Sequence, residues 1–188
     1  MGITARGTYR VWQVWQALRA GPLDEEARRD VTRVLTEEQF VLFARQSQAG
    51  QQHGYRVMRS LADAGHEQQD LLVAALLHDV GKNRVRYSWL DRTIVVLAQR
   101  FAPGLAERWS AGGPATGGPA DYEPAGWTRA FVVKAAHPDW GAEALAACGG
   151  SELSVALVRR HQETMLAPWE DNEENRLLVL LQWADDQN

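Results

Sequence analysis

The chain has 188 residues, a formal net charge of −4 and a single cysteine, Cys148. That length suits one domain with a sizeable core, the charge excludes a nucleic-acid surface built on bulk positive potential, and one cysteine excludes an intrachain disulfide or a Cys-based zinc cluster. No apolar run approaches the ~20 residues of a membrane span, and Met1–Arg6 lacks the apolar stretch of a secretory signal. A cytoplasmic setting without a membrane partner is expected.

The elements read as helix after helix. Val11/Trp12, Trp15 and Leu18 recur at helical spacing, and Gly21-Pro22 stops that segment. Asp24-Glu25-Glu26 opens a helix with an acidic first turn running toward Leu35. Thr36-Glu37-Glu38-Gln39 has the capping-box form ahead of Phe40, Leu42 and Phe43. A helix from about Ala49 to Ala64 carries His53, Val57, Leu61 and Ala64 on one face, with Gly65 as its stop. The apolar run Leu71–Leu77 then ends in His78-Asp79, with Gly81 just past it.

Leu90, Ile94, Leu97, Ala98 and Phe101 predict another helix. Ser110–Gly126 holds five glycines and three prolines, too many breakers for a helix or a central strand, so it is expected to be a loop or lid. Helical pattern resumes at Thr128 and runs into His137-Pro138, where proline predicts a break with His137 as N-cap. Ser151 caps a helix with Leu153, Leu157, Val158 and His161, and Asn172 opens the last one, with Leu178, Leu181 and Asp185 aligned. Without a strand signal or a repeat, the expected class is all-α, a single-domain helical bundle. Residues 1–48 read as a helical extension packed on the core, and 49–188 as the main domain with an insertion at about 84–126. The eight tryptophans are expected chiefly in packing.

An imidazole and a carboxylate side by side at the edge of a core are costly to desolvate unless something binds them, and a divalent metal is the usual something. Candidate ligands on apolar helix faces or helix ends are His53, His78, Asp79, His137, His161 and Asp185. His53 and His78 are 25 residues apart, and His137, His161 and Asp185 follow at intervals of 24. Such intervals suit one helix out and one back, bringing each ligand to the same end of a bundle. Four imidazoles and two carboxylates suit two divalent ions, iron or manganese ahead of zinc, with Asp79 as the bridge. His66, in a polar turn, is read as surface, and Asp185 is preferred to Asp186 because it shares its face with Leu178 and Leu181. Lys82 is either a cation complementing a helix C-terminus or a phosphate clamp. Arg56 and Arg160 are further phosphate contacts if not simply solvated.

His53 with Arg56-Val57, the block Ala74-Ala75-Leu76-Leu77-His78-Asp79-Val80-Gly81-Lys82, and Ala184-Asp185 resemble the HD-domain metal-dependent phosphohydrolases. His137-Pro138-Asp139-Trp140-Gly141-Ala142-Glu143 and Arg160-His161 look like the additional histidine blocks of the two-metal branches. The segments around His137–Ala142 and Trp183–Asp185 are closer to symmetrical diadenosine tetraphosphate hydrolases. The HD-GYP branch is disfavoured, because Gln162-Glu163-Thr164-Met165 follows His161 instead of its signature. The resemblance implies hydrolysis of a phosphoester or phosphoanhydride of a small substrate, a nucleotide or dinucleotide. A hydroxide between two metals would attack phosphorus while the metals and Lys82 neutralise charge. The alternatives are a non-catalytic HD module binding a nucleotide or partner protein, and a one-metal nucleotide monophosphatase in which His137 and His161 are structural.

Overall fold

A computed structural model describes residues 21–85, 98, 104, 129–164 and 170–188, and among them it contains seven α-helices, one 3-10 turn and no strand. The expected helix at Val11–Leu18, the loop Ser110–Gly126 and all of the expected helix at Leu90–Phe101 except Ala98, which is helical, lie outside the described residues.

The first two helices begin as their sequences dictate. In α1 (Glu25–Val34) the Asp24 carboxylate accepts from the Ala27 amide at 2.8 Å. In α2 (Glu37–Ala44) both bonds of the capping box form, Thr36 Oγ1 accepting from the Gln39 amide and Gln39 Oε1 from the Thr36 amide. Val31, Leu35, Leu42 and Phe43 of this region belong to the same buried cluster as the rest of the helices. Tyr55 Oη donates to Asp30 Oδ2 at 3.0 Å, tying α1 to the next helix.

Helix α3 (Gln48–Asp63) starts at Ser47 and stops at Gly65, which sits at φ 85°. The His66 amide donates to the Leu61 carbonyl and the Gly65 amide to the Ala62 carbonyl, so the left-handed residue satisfies two otherwise orphaned carbonyls. Helix α4 (Gln69–Leu77) is buried at every position from Leu71 to Leu77. A helix apolar all round must be surrounded, and α4 packs against α1, α3, the sixth helix and the last one. Its C-terminal end, followed by the 3-10 turn Val80–Arg84, is therefore where polar groups meet the edge of the core.

Helix α5 (Arg129–Ala147) corrects the expected break at His137, because it runs unbroken through Pro138. Proline removes the amide that would bond the Lys134 carbonyl, and His137 Nδ1 takes that carbonyl at 2.9 Å, with Val133 O at 3.0 Å. The imidazole thus repairs the defect that the proline creates. Helices α6 (Glu152–Arg160) and α7 (Glu173–Gln187) are capped by Ser151 and Asn172. Val85, Val132, Val133, Ala136 and Trp140 form a second apolar cluster beneath the 3-10 turn.

Two glycines set how closely these elements approach. A Cβ on Gly54 would lie 2.8 Å from the Leu76 carbonyl, so α3 crosses α4 with backbone against side-chain-free backbone, one residue after His53. A Cβ on Gly81 would lie 2.0 Å from the His137 carbonyl oxygen and 2.6 Å from the Gly141 amide nitrogen. Gly81 was expected just past a helix as punctuation; its structural reason is this approach of the turn to α5, and positive φ occurs instead at Gly65 and Gly149. Among the described residues, no helix is long and apolar enough to cross a membrane.

Candidate metal centre

The ends of α4 and α6, the middle of α5, and single faces of α3 and α7 converge on one place. His53, His78 and Asp185 form one group whose potential ligand atoms lie within 4.8 Å of one another, and Asp79, His137 and His161 form a second. In the first, Asp185 Oδ1 is 2.9 Å from His53 Nε2 and 3.6 Å from His78 Nε2. In the second, Asp79 Oδ1 is 3.4 Å from His137 Nε2 and 3.7 Å from His161 Nε2. The other oxygen of Asp79, Oδ2, lies 3.8 Å from His78 Nε2 and 2.5 Å from Lys82 Nζ. One carboxylate therefore turns an oxygen to each group. Neighbouring rings keep centroid separations of 5.1–5.2 Å from His53 through His78 and His161 to His137.

The hydrogen bonds of the rings decide what the centre can hold. Nδ1 of His78 faces the Ala75 carbonyl at 2.9 Å, that of His161 faces Val158 O at 2.7 Å, and that of His137 faces the two α5 carbonyls. A carbonyl only accepts, so each Nδ1 carries a proton, and whenever such a ring is neutral its Nε2 presents a lone pair to the centre. His137 Nε2 and His161 Nε2 are 3.2 Å apart, and two lone pairs at that distance repel unless a cation lies between them. His78 Nε2 is buried and makes no hydrogen bond. Two donors ~2.1 Å from a common ion, at ordinary ligand angles, lie about 3.0–3.4 Å apart. The separations within the two groups lie in or near that range. Backbone carbonyls fixing the far nitrogen are the usual outer support of ligating histidines. The residues present fit a divalent metal in each group.

Electrostatics agree. Burial pushes the His161 imidazole down to about 3, helped by the neighbouring His78 and opposed by Asp79. Burial likewise lowers His137. Burial alone would raise Asp79, but the Lys82 ammonium foremost and the imidazoles after it hold its carboxyl well below the ordinary range. Asp185 is held at about 2, its burial outweighed by His78 and by the hydrogen bond from His53.

A pH dependence follows for the metal-free protein. An unfolded imidazole takes a proton near pH 6.5, whereas folded His161 resists protonation to about 3. Between those values the unfolded chain binds more protons, so stability falls as pH falls. The carboxylate contributions are present above 3.8 and are lost only as pH drops from there toward about 2 for Asp185. The urea midpoint of metal-free protein should therefore drop from about pH 7 to about pH 5; an unchanged or rising midpoint contradicts the buried neutral imidazoles.

The other predicted residues are placed as follows. Lys82 is ion-paired with Asp79, Arg56 is half-buried on α3 one turn after His53, and Asp186 is exposed. Arg160 is held by Glu163 at 2.6 Å and by Glu174 of α7. It lines a cleft of about 540 Å³ between α5 and α6 with Lys134, Pro138, Asp139, Arg159 and Glu163, and none of the six candidate ligands lines that cleft. Two supporting side chains were not anticipated. Gln46 Nε2 donates to the Leu76 carbonyl at 3.1 Å, just before His78. Gln182 Nε2 donates to the carbonyls of His161 and Glu163, joining the turn after α6 to the helix that carries Asp185. Gln46 is buried and Gln182 half-buried, and neither carries a local sequence signal, because their partners are set only by the fold.

The class defined by these observations is an all-α protein with two His/Asp groups, each able to hold a metal ion. Compared with models of protein families, with curated proteins and with solved structures, the chain matches none.

Proposed function

We propose that this chain is an HD-type, two-metal phosphohydrolase cleaving a phosphoester or phosphoanhydride, with a nucleotide or dinucleotide as substrate. The observation that carries the reading is Asp79, which directs Oδ1 to His137 and His161 and Oδ2 to His78, linking two trios of ligand type. The resemblance of His53, His78-Asp79-Val80-Gly81-Lys82 and Asp185 to HD phosphohydrolases supports it. Two divalent ions, iron or manganese in such an N/O set, would supply an activated water and neutralise charge on the phosphoryl group.

The chain's own residues do the rest. His53, His78 and Asp185 would hold one ion, and Asp79, His137 and His161 the other. Carbonyls at Ala75, Val133, Lys134 and Val158 keep the Nε2 lone pairs aimed inward. Lys82 places a positive charge beside Asp79, where it can meet a phosphate oxygen. The N-terminal helices and 49–188 are read as extension and HD domain. The pairing of His137 with His161 and Asp79 counts against a one-metal enzyme in which those histidines are merely structural.

Metal analysis of purified protein should find near two ions per chain, and a screen of nucleotides and dinucleotides with manganese or iron should find hydrolysis. Turnover absent despite tight nucleotide binding would replace the enzyme with a binding module. At most one ion would remove the two-metal centre.

A further inference from the structure

Resting on the two-ion reading, we infer that the two groups are unequal: the Asp79–His137–His161 position retains its ion, while the His53–His78–Asp185 position exchanges with solvent and is the face that meets the substrate phosphate. In the inner trio the side chains of His137, His161 and Asp79 are 0%, 2% and 15% exposed; in the outer trio His78 is buried at 1%, but His53 and Asp185 are 21% and 36% exposed and form its open edge. Each trio offers two imidazoles and one carboxylate, and the one donor the outer position adds, Asp79 Oδ2, is already engaged by Lys82 Nζ, so ligand type by itself does not separate the positions. Access does.

An ion in the inner position can leave only when buried imidazoles part, and each is anchored through Nδ1 to a helix carbonyl. Opening that trio would expose lone pairs with no replacement donor in a dry site. At the outer position, water can replace His53 or Asp185 one ligand at a time. Asp79 reinforces the difference. Its Oδ1 faces the inner imidazoles, while Oδ2, the oxygen nearest His78, is already held by Lys82 Nζ at 2.5 Å. An outer ion must share that oxygen with an ammonium, which weakens the bridge on the outer side only. The shell around a metal site controls solvent access as well as ligand basicity, and here it is lopsided.

The geometry also orders the two steps of assembly. The inner ion is acquired first, neutralising Asp79 Oδ1 and relieving the repulsion between His137 Nε2 and His161 Nε2. The outer ion comes and goes with the free metal concentration, so phosphohydrolysis would be gated by metal supply at one position only.

The test follows metal release from full-length protein loaded with manganese, using excess chelator and counting ions retained over time. Two equivalents should leave in two phases, the fast at least about tenfold faster than the slow. Asp185→Asn should lose the fast equivalent and keep the slow one, and His161→Ala should lose the slow one, with circular dichroism confirming that both variants keep their helices. Lys82→Met should slow the fast phase, because the competing ammonium is gone. Two ions leaving together, or Asp185→Asn removing the slow equivalent, overturns the inference while sparing the two-metal reading. Failure of the wild-type chain to take up two ions overturns both.

Discussion

For the two-metal phosphohydrolase proposed above, Asp79→Asn should leave a folded protein that binds neither ion in place and hydrolyses phosphate esters at least about 10³-fold more slowly, a loss of about 4 kcal/mol of transition-state stabilisation. The substitution keeps the shape of the side chain and removes its charge. Both consequences come from one carboxylate, because Oδ1 serves the His137–His161 pair and Oδ2 faces His78. An amide can present one oxygen only, and its nitrogen would aim protons at Lys82 or at a lone pair. The fold should survive, since the Lys82 side chain is 24% exposed and its ammonium can reach water once its partner is neutral. The measurements are metal content, turnover on the substrate found by screening, and the far-ultraviolet helical signal. Two retained ions, or activity within about tenfold of wild type, would remove Asp79 from the centre of the mechanism.

Gly81→Ala should be the most disruptive single-methyl change in the described chain, costing about 3 kcal/mol or more. On helix or turn propensity alone, alanine should be neutral or better than glycine, so the expected sign is opposite to the generic one. The added Cβ would meet the His137 carbonyl oxygen at 2.0 Å and the Gly141 amide nitrogen at 2.6 Å. These atoms belong to the middle of α5 and cannot rotate aside as a side chain would. The 3-10 turn must therefore lift away, carrying Asp79 and Lys82 from His137. Gly141→Ala is the control on the opposite surface, meeting Val158 Cγ1 at 3.2 Å and the Gly81 amide nitrogen at 3.3 Å, which a slight adjustment relieves. Urea unfolding should rank Gly81→Ala well below Gly141→Ala in stability, and metal analysis should show the inner ion weakened first. Equal stability of the two variants would mean that the turn does not depend on this contact.

Much of the helical frame was legible because its signals are local. Asp24, the Thr36–Gln39 box, Ser151 and Asn172 each cap within three residues, and Gly65 ends α3 with a left-handed turn. The clustering of the six ligand-type residues was also legible, since residues on apolar faces at intervals of one helix pair must return to one end of a bundle. The continuous helix through His137-Pro138 departs from the expected break for a physical reason. Proline's rule concerns the amide it lacks, and here a side chain supplies the missing donor, which no backbone propensity contains. Arg160 illustrates the converse. Beside His161 in sequence, it is bound instead to Glu163 and to Glu174 on the next helix.

The sequence by itself determined which residues are of ligand type and that helices carry them, because capping and periodicity act over a few residues. The tertiary structure alone decided how they divide. That Asp79 faces both groups, that three imidazoles turn their lone pairs inward, and that the open edge lies at His53 and Asp185 depend on close approaches set by Gly54 and Gly81. Those are contacts between backbones far apart in the chain, and only packing brings them together.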